Sequence, residues 1–311
     1  MKFLVVLTAI LIATIWKPGL VKIDDRWFLK LRGAIERIKQ AKQKPGKSDW
    51  FLVFLATYSV PLLMLALVLT FSTGVLFGLV SIVVHIFILL MAFDWMNPQA
   101  LARQYLDHWE RGDSEACYLF LEEQLECADP PAIHENQELH LTFSKLYVYR
   151  CFTCMFVTLF WYLIAEPLGV LFAYLSYRLR RIVLSDTESP ELEPVAGIIQ
   201  LLEWLPLRLM GLTLGLVGNF EGCLSRLKRI GLGSEESNAQ AVYEYALCAL
   251  GRPDQAHTSD RESAHIDNPE ATSDEYRLLA LSQIDSLQSL MQRSQFLWLT
   301  VLALGTVLGW Q

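Results

Sequence analysis

The sequence predicts an all-α, polytopic helical membrane protein with a helical cytoplasmic layer, and three observations carry that expectation. Apolar residues make up 53% of the 311 positions and charged residues only 19%. The apolar residues are gathered into runs close to the roughly 20 residues that a helix needs to cross a bilayer, where a soluble protein of this length would spread them along amphipathic elements. The segments between the runs carry opposed charge. Residues 17–49 hold ten Lys/Arg against four acids, whereas residues 94–149 hold eleven acids against three basic residues. Short basic loops stay cytoplasmic while acidic groups weigh little. Residues 17–49 are therefore expected on the cytoplasmic side of a bacterial inner membrane, beside its anionic leaflet.

The first element, residues 1–16, is apolar except for Lys2 and is closed by Lys17-Pro18. It lacks the charged front end and small-x-small cleavage site of a signal peptide. It is expected to be an uncleaved span with its N-terminus outside, short at about 24 Å. Residues 24–40 place Trp27, Leu31, Ala34/Ile35 and Ile38 on one helical face; such a helix lies in the membrane interface or packs on other protein. Trp50–Phe71 and Gly74–Phe93 are the clearest spans, and Ser72-Thr73 between them is long enough only for a hairpin tip, so the domain 50–93 reads as a transmembrane hairpin. Pro61 is expected to kink its first helix. His85 is ionisable within the second, a functional hypothesis by position set against a neutral histidine bonded to a neighbouring helix.

Residues 94–149 read as the acidic cytoplasmic helical region. Asn97-Pro98 supplies a cap and a proline at the first helical position, and Leu101, Tyr105 and Trp109 follow at helical spacing. Asp113 can cap the next helix, and Asp129-Pro130-Pro131 stops it. The domain 150–219 reads as a discontinuous membrane region. Cys151–Tyr177 is interrupted at Glu166-Pro167, with Gly169 close behind. Either one kinked helix crosses, or two half-helices enter and return to the same side; Arg178, Arg180 and Arg181 favour return to the cytoplasm. Irregular backbone at membrane depth is tolerated only where it is buried or lines a cavity, which makes Glu166 a site candidate.

After the polar linker 186–194, residues 197–219 are apolar again but carry Glu203 and Arg208. Each charge costs about 2.5–3.5 kcal/mol at a span centre. Five residues correspond to about 140° around a helix, so the two do not simply pair, and Pro206 lies between them. Arg208, Gly211, Gly215 and Gly218 share a side, and Gly211-x-x-x-Gly215 permits close helix contact. Residues 220–295 are mainly polar, with a stretch near 252–273 of disordered composition. Residues 274–295 read as an amphipathic helix running into a C-terminal anchor at 296–311.

Other chemistry finds little support. Cys151-x-x-Cys154 has redox or zinc spacing but opens an apolar run without a second pair, so buried thiols are expected. There is no Walker-type phosphate loop and no G-x-S-x-G elbow. His134 and His140 stand six apart, on opposite helix faces, unlike a zinc-protease pair; a surface loop is expected there. The polar regions are mostly acidic, which disfavours nucleic acid. No catalytic residue, metal or cofactor is indicated.

Three segments read together resemble a known family. Leu159-Phe160-Trp161 followed by Gly169 looks like the A-P-L-F-W…G signature of AmpE, an inner-membrane protein encoded with a β-lactamase regulator. Leu202-Glu203-Trp204-Leu205-Pro206-Leu207-Arg208-Leu209 is similar to its L-D-W-V-P-V-R-L block. AmpE shares a superfamily with CobD/CbiB, the cobinamide-phosphate synthases, whose S-P-N-A-G motif Ser237-Asn238-Ala239-Gln240 resembles. Arg111-Gly112-Asp113 resembles a G-D before a cytoplasmic helix. The chain departs from the pattern at Val157-Thr158 and Glu166-Pro167, and residues 141–156 contain no carboxylate. An ATP-dependent ligase needs magnesium, normally held by carboxylates and phosphates, so the resemblance favours the AmpE branch.

What the resemblance implies is sensing or transduction tied to cell-wall recycling and β-lactamase induction. Glu166, Glu203, Arg208 and Asn238 are the candidate ligand- or partner-binding residues. Arg208 is suited to a lipid headgroup or another small anion, and the acidic layer to a cytoplasmic protein; the bilayer itself is the remaining partner. The alternative is a ligase of the cobinamide type, and a transporter using Glu166 and His85 is the third reading.

Overall fold

The computed structural model describes residues 2–15, 26–40, 49–72, 78–95, 98–125, 136–184, 189–230, 237–252 and 273–308. Among them all regular structure is helical: α1 (Lys2–Ile15), α2 (Arg26–Gln40), α3 (Asp49–Ser72), α4 (Leu79–Trp95), α5 (Pro98–Glu110), α6 (Ser114–Leu125), α7 (Asn136–Cys151), a π-helical stretch (Phe152–Val157), α8 (Thr158–Leu184), α9 (Leu192–Val217), α10 (Phe220–Ile230), α11 (Asn238–Ala249) and α12 (Ser273–Val307). Lys17-Pro18, Thr73, Asn97, Cys127, Asp129-Pro130-Pro131, His134, most of the linker start and most of 252–273 lie outside the described residues. The chain divides into two compact units, residues 1–95 with 157–202, and 96–156 with 203–311.

In the first unit α1 lies along α4, α3 and α4 both pack on α8, and α2 packs on α3. The helix α3 shows why this unit belongs in lipid. Val53, Phe54, Thr57, Tyr58 and Leu65 are buried, yet the opposite side presents Leu52, Leu55, Leu63, Met64, Leu67 and Phe71, the last 77% exposed. A helix apolar all round has no water-facing side, and so large an exposed apolar surface marks a membrane or partner face. The segments Trp50–Ser72, Leu79–Glu110, Glu138–Leu184 and Leu192–Val217 are long and apolar enough to cross a bilayer, and Lys2–Ala13 is a shorter apolar helix. The chain is a membrane protein. The helix α2 is amphipathic as expected and packs on protein: Phe28 is buried and the Trp27 ring stacks on Tyr174 at 6.5 Å.

In the second unit α11 is the centre. All of Ala241–Ala249 is buried, packed against α7 and α10. The helix α5 turns Leu101, Ala102, Tyr105 and Trp109 inward, and Tyr105 stacks on Phe143 of α7 at 3.6 Å. Asp113 caps α6 as its sequence position suggests, its Oδ1 accepting the Ala116 N–H at 2.9 Å. The helix α12 runs unbroken from the amphipathic into the apolar stretch. One expectation fails. His140 is not in a surface loop but in α7, with 3% exposure, because α7 begins early enough for its first turns to join the aromatic cluster of Tyr105 and Trp109.

Candidate functional site

The first unit contains the Glu166 break. Proline disfavours the α conformation in the residue before it and is well placed at the first position of a new helix. Ala165 (φ −123, ψ 17) and Glu166 (φ 53, ψ −146) accordingly leave helical geometry, and among the described residues Glu166 is the non-glycine residue with positive φ, a strain of about 1–3 kcal/mol. The bend is tight. A Cβ on Gly169 would lie 2.7 Å from the Trp161 carbonyl oxygen and 2.8 Å from Ala165 Cβ, whereas residues eight apart in a straight helix are separated by about 12 Å. The helix α8 is therefore bent sharply at Ala165–Glu166, with Gly169 brought close to Trp161.

Glu166 sits at this bend, half-exposed, and Oε1 meets Lys2 Nζ of α1 at 3.0 Å. One turn back, the Tyr162 hydroxyl bonds His85 Nδ1 of α4 at 3.1 Å. The lone histidine of the second span is thus bonded to a neighbouring helix. At the far end of α8, Glu191 accepts Arg32 Nη2 at 2.8 Å, joining α2 to the start of α9.

The second unit contains the other three candidates. Glu203 is 1% exposed; Tyr149 donates its hydroxyl to Oε1 at 2.7 Å, and Asn238 Nδ2 donates to Oε2 at 2.8 Å. The Ser237-Asn238-Ala239-Gln240 segment divides its labour: Ser237 caps α11 by accepting the Gln240 N–H at 3.3 Å, which frees Asn238 to reach the carboxylate. Arg208 is engaged within its own helix. Its Nη1 donates to the Trp204 carbonyl at 2.8 Å and its guanidinium lies 4.1 Å from the Trp204 ring centre. The small-residue face permits close packing, since a Cβ on Gly211 would lie 3.0 Å from the Tyr245 ring and one on Gly215 would lie 3.2 Å from Cys223 Cβ.

Sequence reasoning missed the partners. Lys2 and Tyr162 carry no motif, and Tyr149 falls in a stretch singled out only for lacking carboxylates. A buried ion pair also joins Arg226 of α10 to Glu244 of α11, with Gln240 Nε2 donating to Glu244 Oε1 at 2.8 Å. The signal for it was a carboxylate at 244 inside an otherwise apolar run, which demands a partner. Outside the membrane helices, burial raises the Cys117 and Cys223 thiols to about 12, so both are neutral structural groups.

Comparison with known proteins gives one match. The family model described as "Regulatory signalling modulator protein AmpE" matches residues 5–263, which takes in Glu166, Glu203, Arg208 and Asn238. No similar curated protein or solved structure was found. With most of its length inside that match, the chain belongs to the AmpE family of regulatory signalling modulators.

Proposed function

We propose that this regulator acts in the bacterial inner membrane on β-lactamase induction and cell-wall recycling, with the basic 17–49 segment in the cytoplasm, the acidic helices α5 and α6 facing a cytoplasmic protein partner, and residues 296–311 as an anchor. Its ligand- or partner-binding residues fall in two places: Glu166 with Lys2, and Glu203 with Asn238 and Arg208. The observation that carries this reading is the buried Glu203 carboxylate, held from two different helices by Tyr149 and Asn238. A carboxylate kept dry at a cost of several kcal/mol ties the register of α7, α9 and α11 to one group, as a transducing element requires. The Lys2–Glu166 pair is half-exposed and worth little energy, which suits a contact that opens and closes.

The test replaces the resident gene, in a host with an inducible β-lactamase, by Glu203→Gln or Asn238→Ala and measures β-lactamase before and after a β-lactam challenge. An altered induction ratio at unchanged envelope levels of the protein is expected; a wild-type ratio in these variants and in a deletion strain would remove the proposal. Reporter fusions at Ser72, Asp186 and Gln311 test the orientation. No observation favours the cobinamide ligase, and the matched family is described by signalling.

A further inference from the structure

We propose that the outward face of α2, carried by Lys30 and Arg37, is a docking surface for the headgroups of anionic phospholipids. The two sides of this helix differ in chemistry. Phe28, Leu31 and Ile35 fall within about 60° of one another around its axis, on the side that meets protein. Phe28 is fully buried there, Trp27 beside it stacks on Tyr174 at 6.5 Å, and Arg32 bonds Glu191 at 2.8 Å. Lys30 and Arg37 stand on the opposite side, seven residues and about 10 Å apart along one line. Both are exposed, and among the described residues neither makes an ion pair. Gly33 and Ala34 lie between them, with nothing within 4 Å of a Cβ placed on Gly33, and Leu29, 51% exposed, flanks the line.

The contacts of α2 set its level in the membrane. Trp27 meets Tyr174, one turn before Arg178 of α8, and Arg32 meets Glu191, just before the start of α9. Basic residues near the end of a span settle at headgroup level, and α2 is held beside them. It also packs on α3, whose outward Phe51, Leu52 and Leu55 face lipid, so the outward face of α2 continues a lipid-facing surface. Headgroup phosphates there meet Lys30 and Arg37 on long, flexible stems, while Leu29 enters the margin of the acyl region. Beyond Arg37 the sequence adds Lys39, Lys42, Lys44 and Lys47 before residue 48, and no acid, which strengthens the attraction to an anionic leaflet. A protein partner would want an aromatic or apolar anchor seated in a pocket, and Gly33 with Ala34 leaves the middle of this face flat. A zwitterionic lipid gains less, because its own cation is repelled by the same residues.

The inference does not rest on the regulatory role, so lipid retention and β-lactamase induction can fail separately. The experiment is native mass spectrometry of the full chain in detergent, titrated with phosphatidylglycerol, with phosphatidylcholine of the same chains, and with inorganic phosphate as competitor. Wild type is expected to retain phosphatidylglycerol in preference. Lys30→Gln and Arg37→Gln should each lower the ratio of the two lipids about fivefold, and the double variant about 25-fold. Lys30→Arg should keep the ratio, and so should Arg111→Gln, an equal loss of charge outside α2. Equal retention of the two lipids, a ratio unchanged in the double variant, or one lowered as much by Arg111→Gln overturns the proposal, as does displacement of the lipid by inorganic phosphate. Melting curves accompany each variant. Should the double variant fail to fold, wild type at rising ionic strength decides: screening should lower its ratio, and an indifferent ratio overturns the proposal. A photoreactive residue at Ala34 in whole envelopes is expected to label lipid, and labelling of a protein there would give the face to a protein partner and overturn it.

Discussion

Tyr149→Phe removes one oxygen from the Glu203 network and leaves the ring in place, so its cost reads the charge of the acceptor. In the native protein the hydroxyl donates at 2.7 Å to a carboxylate that is 1% exposed, with Asn238 on the other oxygen. A hydrogen bond to a charged group contributes about 1.5–3 kcal/mol and a neutral one about 0.5–1.5 kcal/mol. Tyr149→Phe should therefore cost about 1.5–3 kcal/mol in the wild-type background. In a Glu203→Gln background the amide still offers Tyr149 a neutral bond, and the same substitution should cost about 0.5–1.5 kcal/mol. The difference between backgrounds is a coupling well above the roughly 0.3–0.5 kcal/mol within which independent sites add. The assay is reversible unfolding of the full chain in detergent, followed by far-ultraviolet circular dichroism, for the four proteins of the cycle. Equal cost in both backgrounds would refute the reasoning, since it would mean that Tyr149 contributes packing and not a bond to a charge.

Gly169→Ala should destabilise the protein. The new Cβ meets backbone oxygen and Ala165 Cβ at under 3 Å, and overpacking of about 1–3 kcal/mol outweighs the roughly 1 kcal/mol helix gain of alanine; a raised melting temperature would contradict the sharp bend of α8. Arg226→Met strands the Glu244 carboxylate and should cost about 3–5 kcal/mol, much of it recovered by adding Glu244→Leu; unfolding measurements on both variants check this. Cys117 and Cys223 should resist maleimide at neutral pH in the native protein and react after unfolding, as mass spectrometry of the labelled chain will show. Their native pKa of about 12 lies above the ordinary thiol value of 9.0. The neutral thiols thus favour the folded state below 9.0, and that contribution is lost as pH rises toward 12.

The membrane helices were legible because lipid imposes a length and a composition on each helix separately, and α3 and α4 could be read from their own residues. The Glu166 break was legible for the same local reason: a proline fixes the residue before it, wherever the rest of the chain goes. How sharply α8 bends there was not, because that depends on how closely Gly169 can approach Trp161. Glu203 and Arg208 stood out as charges in an apolar run, yet the Glu203 partners Tyr149 and Asn238 are settled by which helices lie beside α9. His140 was misplaced since its loop-like neighbours, 126–135, gave no hint that α7 starts with the aromatic cluster of α5 waiting for it. Asn238 was found through a resemblance to another family's motif, and its contact with Glu203 is a reason for an asparagine at that position that the motif alone did not supply.

The two acidic candidates differ in a way that assigns them different physical parts. Glu203 is enclosed and bonded from two helices, so moving it means breaking charge-assisted bonds without water to replace them; it resists change and fixes register. Glu166 is half-exposed, its partner Lys2 is a flexible lysine at the end of a short helix, and its backbone already stores strain of about 1–3 kcal/mol. Separating that pair costs about 0.2–1 kcal/mol at an exposed site, less than the strain that a relaxed Glu166 would release. A modest differential affinity suffices to shift such a balance, which no comparable stimulus could do at Glu203. Charge reversal at both ends, Lys2→Glu with Glu166→Lys, should therefore restore behaviour that either single change disturbs, and a double variant as impaired as the singles would show that the two side chains act through something other than each other.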